Sequence, residues 1–192
     1  MEQKSLYFHG PYKFNFSLHY LFDSEYAQDE GIYLWVLKDR QHNLNYIEYI
    51  GETLTFANRQ KQHLINILGL NYRIIDVEAA SKGKLKVIWP GLWRNKTKDG
   101  VGTLLENYDE IKDYILSYIS YLDIYLAPTK LEMQLRRHIE GCIGWNLRNN
   151  YPQYKKFYPD DNHIGTYPEN LCEVLKIESA EPILGLDSEL LI

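Results

Sequence analysis

The spacing of hydrophobic and polar positions changes period several times along this chain, and each change marks an element. A continuous apolar run over residues 32–37 predicts a buried strand. A second run over 46–50 predicts its return partner, with the polar stretch 38–45 as the hairpin loop. Thr55 can cap a helix on which Phe56, Leu64, Ile67 and Leu68 share one broad face and which Gly69 ends. Residues 72–77 and 85–89 read as strands, separated by the turn Ser81-Lys82-Gly83 and closed by Pro90-Gly91. Leu104, Tyr108, Ile111 and Ile115 return to helical spacing, and 120–127 alternate as another strand. Pro128 fits the first turn of a last helix, on which Leu131, Leu135, Ile139 and Ile143 recur every fourth position. Gly144 is expected to end that helix and leave Trp145-Asn146 in a loop. Upstream, alternation over 12–18 predicts a first strand; beyond Asn149 the chain is expected to be irregular, with one short strand at 174–177.

This order of strand hairpin, helix, strand, helix, strand and helix describes a small α/β (α+β) unit. No Pro/Gly-rich linker divides it, so residues 1–192 read as a single domain. Its 192 residues suffice for one core, and 45% hydrophobic with 14% aromatic content predicts a globular chain. The absence of an apolar run of about 18 residues predicts no membrane span, and no charged leader precedes an apolar stretch. Cys142 and Cys172 lack metal-type spacing and are expected to be buried free thiols, which fits a reducing cytoplasm.

The formal net charge of −5 argues weakly against nucleic acid, but its distribution does not. Residues 52–103 hold nine Lys/Arg against four Asp/Glu, and 128–156 hold six against two, whereas 157–192 carry a net −7. A basic face beside an acidic tail is compatible with a polyanion bound through that face alone.

The basic segments also hold three of the residues with chemical potential, Arg59, His63 and Glu132, and the tyrosines lie just before them. Tyr33 and Tyr49 lie on the two runs of the hairpin, each run bounded by a glycine, and Arg59 and His63 lie one turn apart on the following helix. An arginine can hold a phosphate in bidentate fashion, an imidazole can relay a proton, and a phenol acts as a base only if its surroundings tune it. Glu132, behind Pro128, sits where a helix dipole favours a carboxylate. One carboxylate with phosphate oxygens and waters is enough for Mg²⁺, or for Mn²⁺ in its place. Glu140 and Glu52 are rivals for that metal, although Glu140, a turn past Arg136, reads as half of a surface pair. Taken singly, each residue has a plainer reading: core packing for the tyrosines, solvated helix surface for Arg59, His63 and Glu132. No phosphate loop, Gly-x-Gly-x-x-Gly run, His-Glu-x-x-His motif, Cys/His cluster or nucleophile elbow occurs.

Their order changes the balance. Gly31-Ile32-Tyr33, Tyr49-Ile50-Gly51, Arg59, His63, Glu132 and Asn146, in that sequence, resemble the GIY-YIG nuclease superfamily. Leu131-Glu132-Met133-Gln134-Leu135 followed by Trp145-Asn146 looks like that family's glutamate-helix segment, and the resemblance spans residues 30–149. It implies a three-stranded antiparallel sheet flanked by helices, and metal-dependent cleavage of DNA. It also implies roles: Tyr33 helping to activate the attacking water with Tyr49 beside it, Arg59 on the scissile phosphate, His63 in proton transfer, Glu132 holding one Mg²⁺, and Asn146 orienting the site. The 15-residue gap between the tripeptides, the additions before residue 30 and an acidic extension over 150–192 look more like the restriction-enzyme branch than the small single-module branch. The expected function is an endonuclease. An inactive or regulatory DNA-binding module is the first alternative, and a protein-interaction domain the second, should the basic segments be scattered in space. The acidity fits DNA delivered by a partner subunit, or lost activity, and cutting both strands with one site per subunit implies a homodimer.

Overall fold

The computed structural model describes residues 4–15, 19–93, 98–152, 155–157 and 173–192. Its elements in chain order are β1 (Ser5–Tyr12), a single 3-10 turn (Leu21–Asp23), β2 (Gly31–Asp39), β3 (Leu44–Thr53), α1 (Phe56–Leu68), β4 (Ile74–Ile75), α2 (Val77–Ala80), β5 (Val87–Trp89), α3 (Lys98–Tyr121), β6 (Asp123–Pro128), α4 (Met133–Asn150), β7 (Val174–Ser179) and β8 (Glu189–Leu191). The fold is mixed α+β.

The sheet is larger than the three antiparallel strands expected. It has six strands in the order β3-β2-β6-β1-β7-β8, while β4 and β5 form a separate two-stranded ribbon. β2 pairs antiparallel with both β3 and β6, whereas β1 and β7 pair in parallel. Strand alternation divides the core into two. Tyr33, Trp35 and Leu37 of β2 pack with Phe56 and Ile67 of α1 and with Ile111, Ile115 and Tyr118 of α3. Ile32, Leu34 and Val36 pack on the opposite face with Ile139, Ile143 and Leu147 of α4 and with β7.

Several expected boundaries move, each for a non-local reason. The first strand lies over Ser5–Tyr12, earlier than 12–18, and residues 16–18 fall outside the described residues. Val77 opens a helix because Asp76 accepts hydrogen bonds from the backbone N–H of Glu78 and Ala79, an N-cap that outcompetes the strand. Pro128 closes β6, paired with Gly31, and the Thr129 N–H continues the ladder to the Glu30 carbonyl, so α4 starts only at Met133. Gly144 does not stop α4: it is buried in the helix, which carries Trp145 and Asn146 on to Asn150. The segment expected to be irregular contains β7 and β8 within its described part.

Cys142 is a buried free thiol, and its burial raises the pKa to about 11. Cys172 lies outside the described residues, as do most of the basic residues just after Trp93. Among the described residues, no helix is long and apolar enough to cross a membrane.

Candidate active site

Two glycines shape the floor of the site. Gly51 on β3 stands opposite Tyr33 on β2, and a Cβ at position 51 would collide with the Tyr33 hydroxyl and ring. Gly31 lies against the Ala127 carbonyl and 2.8 Å, measured from an added Cβ, from the Phe56 ring that opens α1. The first glycine leaves room for a phenol; the second lets β2, β6 and α1 close on one another.

A bulge then aims the second tyrosine. Trp35 pairs with Tyr49 and Val36 with Ile47, which leaves Glu48 as an extra residue in β3. The consecutive residues Glu48 and Tyr49 therefore both engage groups on the α1/α3 side. Glu48 accepts a 2.5 Å hydrogen bond from the Tyr118 hydroxyl and pairs with Arg73 at 3.4 Å. Tyr49 stacks beside Tyr33 with ring centroids 6.0 Å apart and meets His63 edge-on at 5.2 Å.

α1 delivers Arg59 and His63 to the same phenol. Arg59 Nε donates to the Tyr33 hydroxyl at 3.2 Å, and that hydroxyl lies 2.6 Å from His63 Nε2. The other imidazole nitrogen, Nδ1, lies 2.9 Å from the Tyr72 hydroxyl. Trp35 walls the cluster: its ring stands 4.8 Å from His63, and its Nε1 donates to Gln60 at 2.9 Å. His63 is fully buried, not a half-exposed surface residue. Burial, helped by the Arg59 charge, lowers its pKa to about 3, so the imidazole is neutral at pH 7. Burial first, and Tyr49 next, hold the Tyr33 phenol well above its usual pKa against the opposing pull of Arg59. The resting cluster thus has a neutral phenol, a neutral imidazole and one permanent cation, Arg59.

The carboxylates are arranged differently from the expectation. Glu132 is exposed at the N-cap position of α4; its carbonyl accepts from the Arg136 N–H, but its side chain makes no capping bond and has no hydrogen-bond or ion-pair partner among the described residues. Glu140, two turns further along, is the α4 carboxylate coupled electrostatically to the cluster. Burial and the neighbouring Glu52 charge raise it to about 7, while Arg137 and Arg59 pull it down. It is not paired with Arg136. That arginine is buried and donates to Glu30 at 2.6 Å, to the Leu131 carbonyl at 2.7 Å and to Glu52 at 3.4 Å. Glu52 also accepts from Arg137 at 3.1 Å. Among the described residues, no group of three or more His, Cys, Asp or Glu side chains forms a ready-made metal cage.

Asn146 stands apart from this cluster. Its side-chain amide donates to the Gly185 carbonyl at 3.2 Å and to Asp187 at 2.9 Å, which fastens the C-terminal segment to α4. The structure thus brings Tyr33, Tyr49, Arg59 and His63 together and leaves Glu132 and Asn146 out of their hydrogen-bond network. Sequence reasoning missed Tyr72, whose only signal was one tyrosine among 17, and misjudged Glu140, whose coupling to Glu52 depends on how α4 crosses β3. Compared with family models, curated proteins and solved structures, the chain matches none of them.

Proposed function

We propose that this protein is a metal-dependent endonuclease of the GIY-YIG type, hydrolysing DNA phosphodiester bonds at the Tyr33–Arg59–His63 cluster. The observation that carries this reading is the pair of contacts at one phenol oxygen, from Arg59 at 3.2 Å and to His63 at 2.6 Å. A guanidinium fixed this way offers permanent positive charge to a phosphate whose negative charge grows in the transition state. The phenol beside it is fully buried in the free protein and in direct contact with an imidazole, so a water that reaches it when Arg59 turns onto a phosphate has a proton acceptor at hand. The order of the tripeptides and of Arg59, His63 and a glutamate helix supports the same reading, as does the positive balance of residues 52–103 and 128–156.

Mg²⁺ or Mn²⁺ fits Glu140 better than Glu132. Glu140 and Glu52 repel each other in the free protein, and a divalent cation relieves that repulsion, whereas the Glu132 side chain is exposed and makes no capping bond. When bound, the cation would polarise a phosphoryl oxygen and stabilise the leaving oxygen. Arg59 binds the scissile phosphate. Tyr33, kept in place by Tyr49 and by the space at Gly51, takes the proton of the attacking water, and His63 accepts the proton that Tyr33 gives up. One such site cuts one strand, so double-strand cleavage would call for a homodimer, and the acidity of the chain fits a partner protein that delivers the DNA.

Supercoiled plasmid incubated with Mg²⁺ is expected to be nicked by the wild type, and Arg59→Ala is expected to lose activity by about 100-fold or more. Equal cutting by wild type and Arg59→Ala would remove the phosphate role. No cutting of supercoiled, linear or single-stranded DNA by the wild type would shift the reading to a DNA-binding module without catalysis. That second reading is favoured by one observation, the commitment of Asn146 to the C-terminal segment.

A further inference from the structure

Tyr72 is a residue the nuclease reading has not used, and its hydroxyl is hydrogen-bonded to the catalytic cluster. It follows α1 and lies 2.9 Å from the His63 nitrogen that does not face Tyr33. Three groups thus form an unbroken line: the Tyr33 hydroxyl, the two nitrogens of His63 and the Tyr72 hydroxyl, with links of 2.6 and 2.9 Å.

The neighbours favour one direction along this line. The Tyr33 oxygen accepts a hydrogen bond from Arg59 Nε, which leaves its own hydrogen for His63 Nε2, the shortest contact it has. A neutral imidazole has one donor and one acceptor. With Nε2 accepting, the ring proton sits on Nδ1 and is donated to the Tyr72 oxygen. That oxygen also receives Asn66 Nδ2 at 3.5 Å, so the Tyr72 hydrogen points away from the cluster. Tyr72 is only partly buried, with Trp93 edge-on against its ring at 5.0 Å, and the line therefore ends where solvent can reach it.

We propose that Tyr33, His63 and Tyr72 form a proton wire, with Tyr72 as its exit, that carries the proton of the attacking water from the site to solvent. The inference rests on the nuclease reading for its substrate. The transfers balance. The water O–H bond breaks as a Tyr33 O–H bond forms. The original Tyr33 proton moves to His63 Nε2, the Nδ1 proton moves to the Tyr72 oxygen, and the Tyr72 proton passes to solvent. After product release the same path run backwards, with a proton entering at Tyr72 and one leaving Tyr33 to solvent, restores the first tautomer.

The wire resolves a difficulty of the resting site. Tyr33 is hard to ionise and His63 is hard to charge, so neither serves well as a base that must hold its new charge. A concerted relay never asks either to do so, because each gives up one proton as it takes another. Tyr72 is a positioning and relay residue in this scheme, since it acts through His63.

Two measurements test it. Nitrogen-15 NMR of histidine-labelled wild type at pH 7, without DNA or metal, is expected to show His63 protonated at Nδ1 and bare at Nε2. The opposite tautomer, or an imidazolium, would overturn the wire whatever the activity of the protein. In Mg²⁺-dependent plasmid cleavage, Tyr72→Phe keeps the ring and loses the relay atom. It is expected to lower kcat by about 100-fold with KM unchanged. It is also expected to reduce the curvature in the dependence of rate on deuterium fraction, the mark of several protons in flight, because the two transfers through the Tyr72 oxygen are gone. Wild-type rate and curvature in Tyr72→Phe would overturn the catalytic use of the wire. A wild type that cuts no DNA would overturn the nuclease reading and that use with it, while the NMR arm alone decides whether the wire exists.

Discussion

Tyr33 and Gly51 face each other across the β2–β3 ladder, and the phenol of one occupies the space where the other would carry a side chain. The glycine is required by a neighbour and not by its own backbone angles. Gly51→Ala is therefore expected to push Tyr33 off its contacts with Arg59 and His63 and to destabilise the fold by about 1–3 kcal/mol, the usual range for overpacking. Urea denaturation measures the second effect. A Gly51→Ala protein as stable as the wild type would show that the Tyr33 ring has somewhere else to go.

The two α4 carboxylates are separable by experiment, since Glu132 lies about 12 Å along the helix axis from Glu140. Glu140→Gln is expected to abolish Mg²⁺-dependent cleavage, while Glu132→Gln cuts within a few-fold of the wild type. Reversal of that pattern would return the metal to the residue first read from the sequence. Magnesium titrations of the cleavage rate distinguish a weakened metal site from a misfolded protein.

His63 and Glu140 give stability opposite dependences on pH. His63 falls from 6.5 to about 3 on folding, so the stability linked to it is full above pH 6.5 and is lost as pH falls toward 3. Glu140 rises from 4.5 to about 7, so the stability linked to it is full below pH 4.5 and is lost as pH rises through 7. Between pH 4.5 and 6.5 the two slopes oppose each other. Glu140→Gln is expected to unmask a stability that climbs with pH over that window, and His63→Gln one that declines. Urea midpoints at half-unit pH steps report the slopes, and identical slopes in the two variants would contradict both shifts.

Asn146→Ala removes two hydrogen bonds between α4 and the C-terminal segment. Because Asp187 retains the Tyr151 hydroxyl at 2.6 Å, the expected loss is about 1–3 kcal/mol without unfolding. Hydrogen exchange over residues 183–191 is expected to quicken before that of α1. A specific loss of cleavage with unchanged exchange would instead place Asn146 in the chemistry.

The hairpin and α1 were legible in the sequence because their signals are local. Ile32, Leu34 and Val36 alternate with Tyr33, Trp35 and Leu37 about one strand, and Arg59 and His63 follow from helical spacing. What was not legible depends on partners far away in the chain. The bulge at Glu48 exists only against β2, and α4 begins late because Pro128 is held by Gly31. The parallel pairing of β7 with β1 joins residues about as distant as the chain allows, and no periodicity announces it. The coupling of Glu140 to Glu52 is of the same kind, since it requires knowing which face of the sheet α4 crosses.

β1 lies between β6 and β7, so both ends of the chain are threaded into the sheet that carries Tyr33. A fragment cut to residues 30–149, the span of the nuclease resemblance, would lose β1, β7 and β8 together. Its β6 would become a raw edge whose unpaired N–H and C=O groups invite pairing with another molecule. Aggregation of such a fragment would say nothing about the chemistry of its site, so assays call for the chain with β1, β7 and β8 in place.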